Sequence, residues 1–279
     1  MTIAYLGPIA SFTSLVAQEL FPEKTLAPQS SIRDCFRAVQ KGEVDKAVVP
    51  LENSIEGTVS MTLDYLYDFE GIFIEAEAVL PISHHLMVHP QSEEIQAIVS
   101  HPQALAQCFH SLDTDFKVVP RMDYHSTSGA AKYISEHPEK NLAAIANATA
   151  AELYGLQIIR RDIHDFEQNH TKFIVISKQK RPLHLPLEWA EEKSSLILTL
   201  PKDSAGGLHQ ALSVFAWRKM NLSKIESRTL KKKLGTYFFF INVVGEWNSA
   251  LARGALQELE SLNIKVCFLG HYKEYALKE

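Results

Sequence analysis

From residue 2 to about residue 178 short apolar runs alternate with stretches of helical periodicity, and this alternation constrains the fold more than any other feature of the chain. Such a rhythm predicts βα units laid on a mostly parallel sheet. Residues 3–6 read as a first strand. Ser11 can then cap a helix that runs to Leu20, with Phe12, Leu15, Val16 and Leu20 at helical spacing. Residues 32–40 repeat the helical pattern until Gly42 stops it, and 46–50 form the next strand. A helix is expected over 61–69, followed by a strand-rich run over 72–88 that contains no helix and breaks the rhythm. A second set follows, with strands at 97–100, 117–119 and 142–146 and helices at 102–111, 126–136 and 147–153. Two α/β lobes are expected, the second over about 80–155, with a ligand cleft between them.

In open α/β sheets ligands sit beyond the carboxyl ends of the strands, where loops and helix N-termini offer N–H groups. The segment 49–57 fits that pattern. An apolar run, Ala47-Val48-Val49, is expected to stop at Pro50 and deliver Glu52, Asn53 and Ser54 together. A plain strand, turn and N-cap explains the same stretch equally well. Ser100-His101-Pro102-Gln103, with Gln107 and Cys108, again puts polar groups where a strand becomes a helix, Gln103 and Gln107 sharing one helix face. His101 reads either as a general base or as a structural residue beside Pro102. Ser126-Thr127-Ser128-Gly129 repeats the arrangement, and a helix cap accounts for it. Asn169-His170-Thr171-Lys172-Phe173 runs into a strand at 174–176, which suits a site if this loop crosses the cleft. There Lys172 could pair with a carboxylate and Thr171 donate to a leaving oxygen, although a solvated loop is the simpler reading.

Several chemistries are excluded or disfavoured. A net charge of −5 supplies no basic surplus for nucleic acid, and no apolar run approaches membrane-spanning length. The N-terminus shows no secretion signal, and Cys35, Cys108 and Cys267 are odd in number and far apart, so reduced thiols in a cytoplasmic protein are expected. No dinucleotide fingerprint, phosphate loop, zincin motif or nucleophile elbow is present. Adjacent His84 and His85 would point to opposite faces of a strand, so no metal and no cofactor are expected. The partner expected is a small molecule.

Between Lys178 and Lys193 both periodicities are lost, and 179–193 is taken as a linker from a domain over 1–178 to one over 194–279. Beyond it come a strand at 195–200, a helix opened by Gly206-Gly207, a strand over 222–228, a turn at Gly235, a strand over 237–244, a helix over 250–262 and a strand over 264–269. Lys231-Lys232-Lys233 reads as a solvated hairpin end. The order βαββαβ is that of the ferredoxin-like split unit.

Taken together, these segments resemble the prephenate dehydratase family across nearly the whole chain. The family's Gly-Pro-x-Gly-Thr-Phe-Ser pattern corresponds to Gly7-Pro8-Ile9-Ala10-Ser11-Phe12-Thr13, with alanine at the second glycine. Its Glu-Asn-Ser-x-Glu-Gly motif falls on Glu52 to Gly57, its Ser-His-Pro-Gln motif on Ser100 to Gln103 with Gln107 beyond, and its Thr-Arg-Phe signature on Thr171-Lys172-Phe173. The C-terminal part resembles an ACT domain. Asn221-Leu222-Ser223-Lys224-Ile225-Glu226-Ser227-Arg228 is close to one of its motifs, with Thr229 where proline is usual, and Gly206-Gly207-Leu208-His209 to its partner motif.

The resemblance implies an α/β catalytic domain of two lobes, like a periplasmic binding protein, followed by a ferredoxin-like ACT domain. It implies conversion of prephenate to phenylpyruvate in phenylalanine biosynthesis, without a cofactor, in a homodimer or homotetramer inhibited by L-phenylalanine. Thr171 would hydrogen-bond the leaving hydroxyl, and Asn53, Ser100, Gln107, Ser126 and Thr127 would donate to substrate oxygens. Glu52, Ser54 and Phe173 would complete the site, with Lys172 supplying charge where relatives use arginine. Gly206, Gly207, Leu208, His209, Asn221, Leu222, Glu226, Ser227 and Arg228 would hold the regulatory ligand. A first strand beginning at residue 2 predicts a monofunctional enzyme. Two rivals stay open: an arogenate dehydratase, and a two-lobed amino-acid-sensing module without turnover.

Overall fold

The computed structural model of the protein describes residues 1–201, 205–229, 237–247 and 250–278. The first lobe opens with β1 (Thr2–Leu6), α1 (Phe12–Leu20), β2 (Thr25–Gln29), α2 (Ile32–Lys41), β3 (Lys46–Asn53), β4 (Gly57–Thr58), α3 (Ser60–Asp68) and β5 (Phe73–Pro81). The second contains β6 (His85–Val88), β7 (Ala97–Ser100), α4 (Pro102–Gln107), α5 (Phe109–Asp115), β8 (Arg121–Asp123), α6 (Thr127–Glu136), β9 (Leu142–Ala146), α7 (Ala148–Leu153) and β10 (Gln157–Arg160). The chain then returns as β11 (His170–Ser177) and ends in β12 (Trp189–Thr199), α8 (Gly207–Ala216), β13 (Leu222–Thr229), β14 (Tyr237–Val244), α9 (Ala250–Ser261) and β15 (Lys265–Ala276). The helices start where short oxygen-bearing side chains appear. Ser11, Ser31, Ser126 and Asn147 each accept a backbone N–H of the first turn. Left-handed Gly42 closes α2.

The two lobes have separate sheets. The second is a five-stranded sheet in the order β10-β6-β9-β7-β8, so this lobe's strands span 85–160 rather than 80–155. The first sheet is mixed rather than mostly parallel. Parallel β2, β1 and β3 are followed by β11, which is antiparallel to both β3 and β5. The polar run at 170–172 is therefore strand, not loop, because ladders on both sides carry β11 from His170 onward. Pro50 does not end β3. Pairing with β1 stops at Val48, and the ladder to β11 steps from Glu52 to Pro50 in a bulge, so the missing N–H is tolerated.

Other boundaries also move. β2 was not anticipated, because an exposed edge strand containing Pro28 lacks apolar alternation. Residues 102–111 form two helices broken at Cys108, which is buried in the core of the second lobe. The strand expected at 117–119 lies at Arg121–Asp123, where pairing with β7 decides it and all three residues are exposed. The linker is shorter than 179–193, since β12 begins at Trp189 by pairing with β15. Lys231-Lys232-Lys233 and the turn at Gly235 lie outside the described residues.

The C-terminal strands run β13-β14-β12-β15, the antiparallel ferredoxin-like order expected for βαββαβ. This unit is continuous with the first lobe. β15 runs on past Leu269 to Ala276 and pairs in parallel with β5, from Lys273 opposite Ala76 to Ala276 opposite Val79, making one ten-stranded sheet. A single apolar core contains Leu51, Leu63 and Leu66 of the first lobe together with Phe238, Phe240 and Tyr272 of the C-terminal unit. Tyr67 stacks on Phe238 at 4.7 Å between centroids, a geometry that adds about 1 kcal/mol to the area buried.

The join requires a close backbone approach. Gly270 has a φ of +150°, and a Cβ there would lie 2.2 Å from the carbonyl oxygen of Ile74. Gly270→Ala is expected to destabilise the protein by about 2 kcal/mol or more, lowering Tm by about 4 °C or more in thermal unfolding. An unchanged Tm would mean that β15 and β5 are free to separate at this point.

Candidate active site

A cleft of about 860 Å³ opens between the lobes. From the first lobe it is lined by Leu6 to Ile9, Ser11 to Thr13, Pro28 to Ser30, Pro50, Asn53, Ile82, Thr171 and Phe173. The second lobe contributes His84, His101, Gln103, Ala104, Gln107, His125, Ser126, Thr127, Lys132 and Tyr154. Strand alternation decides which residues of β11 take part. Thr171 and Phe173 face the cleft, so Lys172 between them faces the other way.

Thr171 is held by a network whose donor and acceptor roles can be worked out. Asn53 Oδ1 accepts the N–H groups of Ile55 and Glu56, both at 3.0 Å, which turns its Nδ2 toward the cleft. That Nδ2 donates to Thr171 Oγ1 at 2.9 Å and to Asn169 Oδ1 at 2.9 Å. Thr171 Oγ1 is thus an acceptor within the protein, and its hydrogen is free to point at a ligand. The network continues through Asn169 Nδ2, which donates to Gln107 Oε1 at 3.0 Å. Gln107 Nε2 faces the acceptor-only carboxylate of Glu56 at 3.4 Å. Its Oε1 therefore faces His84 Nε2 at 3.1 Å, which makes His84 the donor there. Burial pushes the imidazole of His84 down to about 4, so it is neutral near pH 7. Its Nδ1 is a buried acceptor with no partner among the described residues.

The electrostatics of the cleft run against those of the chain. With 33 acidic residues in the sequence, none of the described residues lining the cleft is a carboxylate, while Lys132 and three histidines are present. Two helix N-termini also face it. α1 presents Phe12 and Thr13 after the Ser11 cap, and α6 presents Thr127 after the Ser126 cap. One comes from each lobe. The lobes are tied nearby, since Ser128 Oγ donates to Ile9 O at 2.5 Å and Asn147 Nδ2 to Ala10 O at 2.9 Å. Ala10 sits at φ +58°, where the family pattern has glycine, and its side chain is buried in the core of the second lobe. His101 caps α4, its Nδ1 accepting Gln103 N at 3.2 Å, and also lines the cleft.

Of the residues singled out from the sequence, the cleft gathers Asn53, Gln107, Ser126, Thr127, Thr171 and Phe173. It leaves out four. Glu52, opposite in direction to Asn53, pairs with Lys224 of β13 at 2.6 Å. Ser54 is exposed and bonds Gln168 O. Ser100 is fully buried and donates to Ile145 O at 2.7 Å. Lys172 pairs with Glu274 at 3.3 Å and with Glu77 at 3.5 Å, both on the far face of the sheet. Four residues of the expected regulatory set lie at the head of α8, where Gly206 is left-handed and Gly207 and Leu208 form the first turn with His209. Asn221 precedes β13, which Leu222 opens. Glu226 and Arg228, however, face the first lobe, where Glu226 meets Thr58 at 3.2 Å and Arg228 meets Asp64 at 3.0 Å and Ser60 at 3.0 Å. Ser227 alternates to the other face.

His84, Lys132 and the head of α1 in the cleft lining, and Asn169 in the network behind it, are residues that sequence patterning did not assign. Asn169 lay inside a recognised polar run, and Ser11 was recognised as a cap. Nothing local distinguished His84 from His85.

The chain is similar to known proteins over nearly its whole length. The family model for prephenate dehydratase matches residues 3–181. The prephenate dehydratase of Bacillus subtilis is 43% identical, covering 99% of this chain and all of the relative. A crystal structure of prephenate dehydratase from Arthrobacter aurescens in complex with L-Phe superposes with a TM-score of 0.87 at 34% identity, covering 98% of this chain and 90% of that one. A structure described as GqqA, a novel type of quorum quenching acylase, superposes with a TM-score of 0.85 at 28% identity, covering 98% of each chain. With a family model spanning both lobes and a relative aligned end to end, the chain belongs to the prephenate dehydratase family.

Proposed function

We propose that this protein converts prephenate to phenylpyruvate with loss of carbon dioxide and water. The observation that carries the reading is a cleft with no carboxylate among its described lining residues, in which the Thr171 hydroxyl, its oxygen engaged by Asn53, keeps its hydrogen for the ligand. Prephenate is a dianion with an apolar ring. The N-termini of α1 and α6, with Ser126, Thr127 and Gln103, suit its two carboxylates, and Phe12, Ile82 and Phe173 suit the ring. As the ring carboxylate leaves as carbon dioxide, its bonding electrons enter the ring, the bond to the ring hydroxyl breaks, and the departing hydroxide takes up a proton. Aromatisation supplies much of the driving force, so the protein's work is positioning and electrostatic stabilisation. Thr171 donates to the departing oxygen. An alcohol is too weak an acid to be the final proton source, so Thr171 polarises the departing oxygen and the proton that makes it water comes from an acid of the bulk solvent.

Arogenate carries an ammonium where prephenate carries a keto group, and a lining without carboxylates favours prephenate. Acyl cleavage of the kind named for GqqA would need an activated nucleophile. Among the described residues no cleft histidine is hydrogen-bonded to a hydroxyl. L-Phenylalanine is the proposed regulatory ligand, held at the head of α8 and the start of β13, in a cytoplasmic homodimer or homotetramer. The L-Phe complex of the Arthrobacter relative supports L-phenylalanine as the ligand. No helix among the described residues is long and apolar enough to cross a membrane.

Purified protein is expected to form phenylpyruvate from prephenate, followed by absorbance, and to slow when L-phenylalanine is added; no turnover would overturn the reading. Thr171→Val removes the hydroxyl at nearly constant volume and is expected to lower kcat about 100- to 1000-fold while the protein still folds. Turnover near the unsubstituted level would remove Thr171 from the mechanism.

His84 generates a pH prediction. Its folded pKa of about 4 lies below the ordinary 6.5, so the unfolded chain binds the extra proton first, and stability is lost as pH falls from about 6.5 toward 4. Between about pH 7 and about pH 5 the protein should lose about 2 kcal/mol more than the His84→Gln variant in denaturant titrations. Equal losses would show that His84 titrates normally.

A further inference from the structure

The face of β11 turned away from the cleft carries the charges that the cleft lacks. Lys172 Nζ lies 3.3 Å from Glu274 Oε2 on β15 and 3.5 Å from Glu77 Oε1 on β5. The same Glu77 oxygen is 2.9 Å from Lys193 Nζ on β12, and Lys193 also pairs with Glu274 and with Glu191. One run of ion pairs thus leads from the strand bearing Thr171 into the C-terminal unit. The side chains of Lys193 and Glu77 are 1% and 0% exposed, so neither charge has water as an alternative partner. Burial, with Glu274 alongside, pushes Glu77 up to about 7. A buried cluster of this kind holds one arrangement, because removing a member leaves another unpaired.

The ladder between β3 and β11 is irregular at this point. Lys172 is opposite Glu52 and Phe173 is opposite Pro50, so Leu51 has no partner across the ladder. Pro50 has no N–H to offer. The extra residue is on β3, and on β11 the step falls between Lys172 and Phe173, directly after Thr171. On the cleft side Thr171 is fixed by Asn53, and on the opposite side the same stretch of strand is fixed by Lys172.

We propose that Lys172 is a positioning residue for the dehydratase reaction, its ion pairs with Glu274 and Glu77 holding β11 at the bulge so that the Thr171 hydroxyl meets both Asn53 and the departing oxygen. The inference rests on the function proposed above and assigns Lys172 no contact with substrate. It also makes β15 of the C-terminal unit part of the catalytic geometry. A displacement of β15 would reach Thr171 through a single side chain.

The test is steady-state turnover of prephenate by the full chain and by Lys172→Met, Glu274→Gln, Lys172→Arg and the double variant Lys172→Met/Glu274→Gln. Each of the first two is expected to lower kcat about 10- to 100-fold, with KM changed less than about twofold, the penalty of a small misplacement of a reacting group. Lys172→Arg, which keeps the charge, should retain most of kcat. The double variant should be no slower than the slower single one, because both substitutions break the same contact. A raised KM with kcat intact would overturn the proposal in favour of substrate binding by Lys172, and unchanged kcat and KM would overturn it outright. Multiplying losses in the double variant would also contradict it. If Lys172→Met fails to fold, the nearly isosteric Glu274→Gln decides the matter by the same split. Absence of turnover in the unsubstituted protein would remove the dehydratase reading and this role with it, whereas a working parent with unaffected variants removes only this role.

Discussion

The antiparallel pairing of β11 between β3 and β5 is the constraint on which the rest of the structure depends. It brings the chain back into the first sheet after the second lobe has been built, and so closes the cleft. Its period of two sends Thr171 and Phe173 to the cleft and Lys172 to the opposite face. β3 beside it does the same with Asn53 and Glu52. Asn53 meets Thr171, and Glu52 meets Lys224 of β13. Each of these two strands therefore carries a cleft residue and, next to it, a residue bonded to the C-terminal unit. The C-terminal unit thus has two short covalent-neighbour routes to the cleft residues.

The cleft is distinguished by what it leaves out as much as by what it contains. Carboxylates are abundant in the chain and absent from the described lining, and the two inward-facing helix N-termini belong to different lobes. A dianion can therefore be gripped by both lobes at once without a cation at its centre. The remaining polar groups form a network of fixed direction. Backbone amides at Ile55 and Glu56 orient Asn53, the Glu56 carboxylate orients Gln107, and these two set the sense of every hydrogen bond between them. A neutral, buried His84 completes the network at its far end.

Much of the fold was legible because local chemistry and tertiary structure agree. Caps at Ser11 and Ser126, the stop at Gly42 and the apolar strands all act through neighbours in sequence. The failures share a cause, which is pairing with distant strands. β2 is a strand because β1 lies beside it, β8 because of β7, and the last residues of β15 because of β5. At the site, the polar runs pointed to the right segments and could not say which members face inward. Glu52, Ser54, Ser100 and Lys172 lie within a few residues of true cleft groups and are turned elsewhere by strand alternation or burial. Contacts of Glu226 and Arg228 with the first lobe were invisible for the same reason, since nothing in β13 reveals that α3 packs against its unit.

The central claim is that Asn53 acts by donating to Thr171 Oγ1 and so frees the threonine hydrogen for the departing hydroxyl. Asn53→Asp tests it directly, because a carboxylate at that position can still accept from Ile55 and Glu56 but would take the threonine hydrogen for itself. The measurement is kcat for prephenate with Asn53→Asp alone and combined with Thr171→Val. The account predicts that Asn53→Asp alone costs about as much as Thr171→Val and that combining them adds less than about threefold, since both remove the same hydrogen bond. Losses that multiply would contradict it, by showing that Asn53 and Thr171 act on the substrate independently.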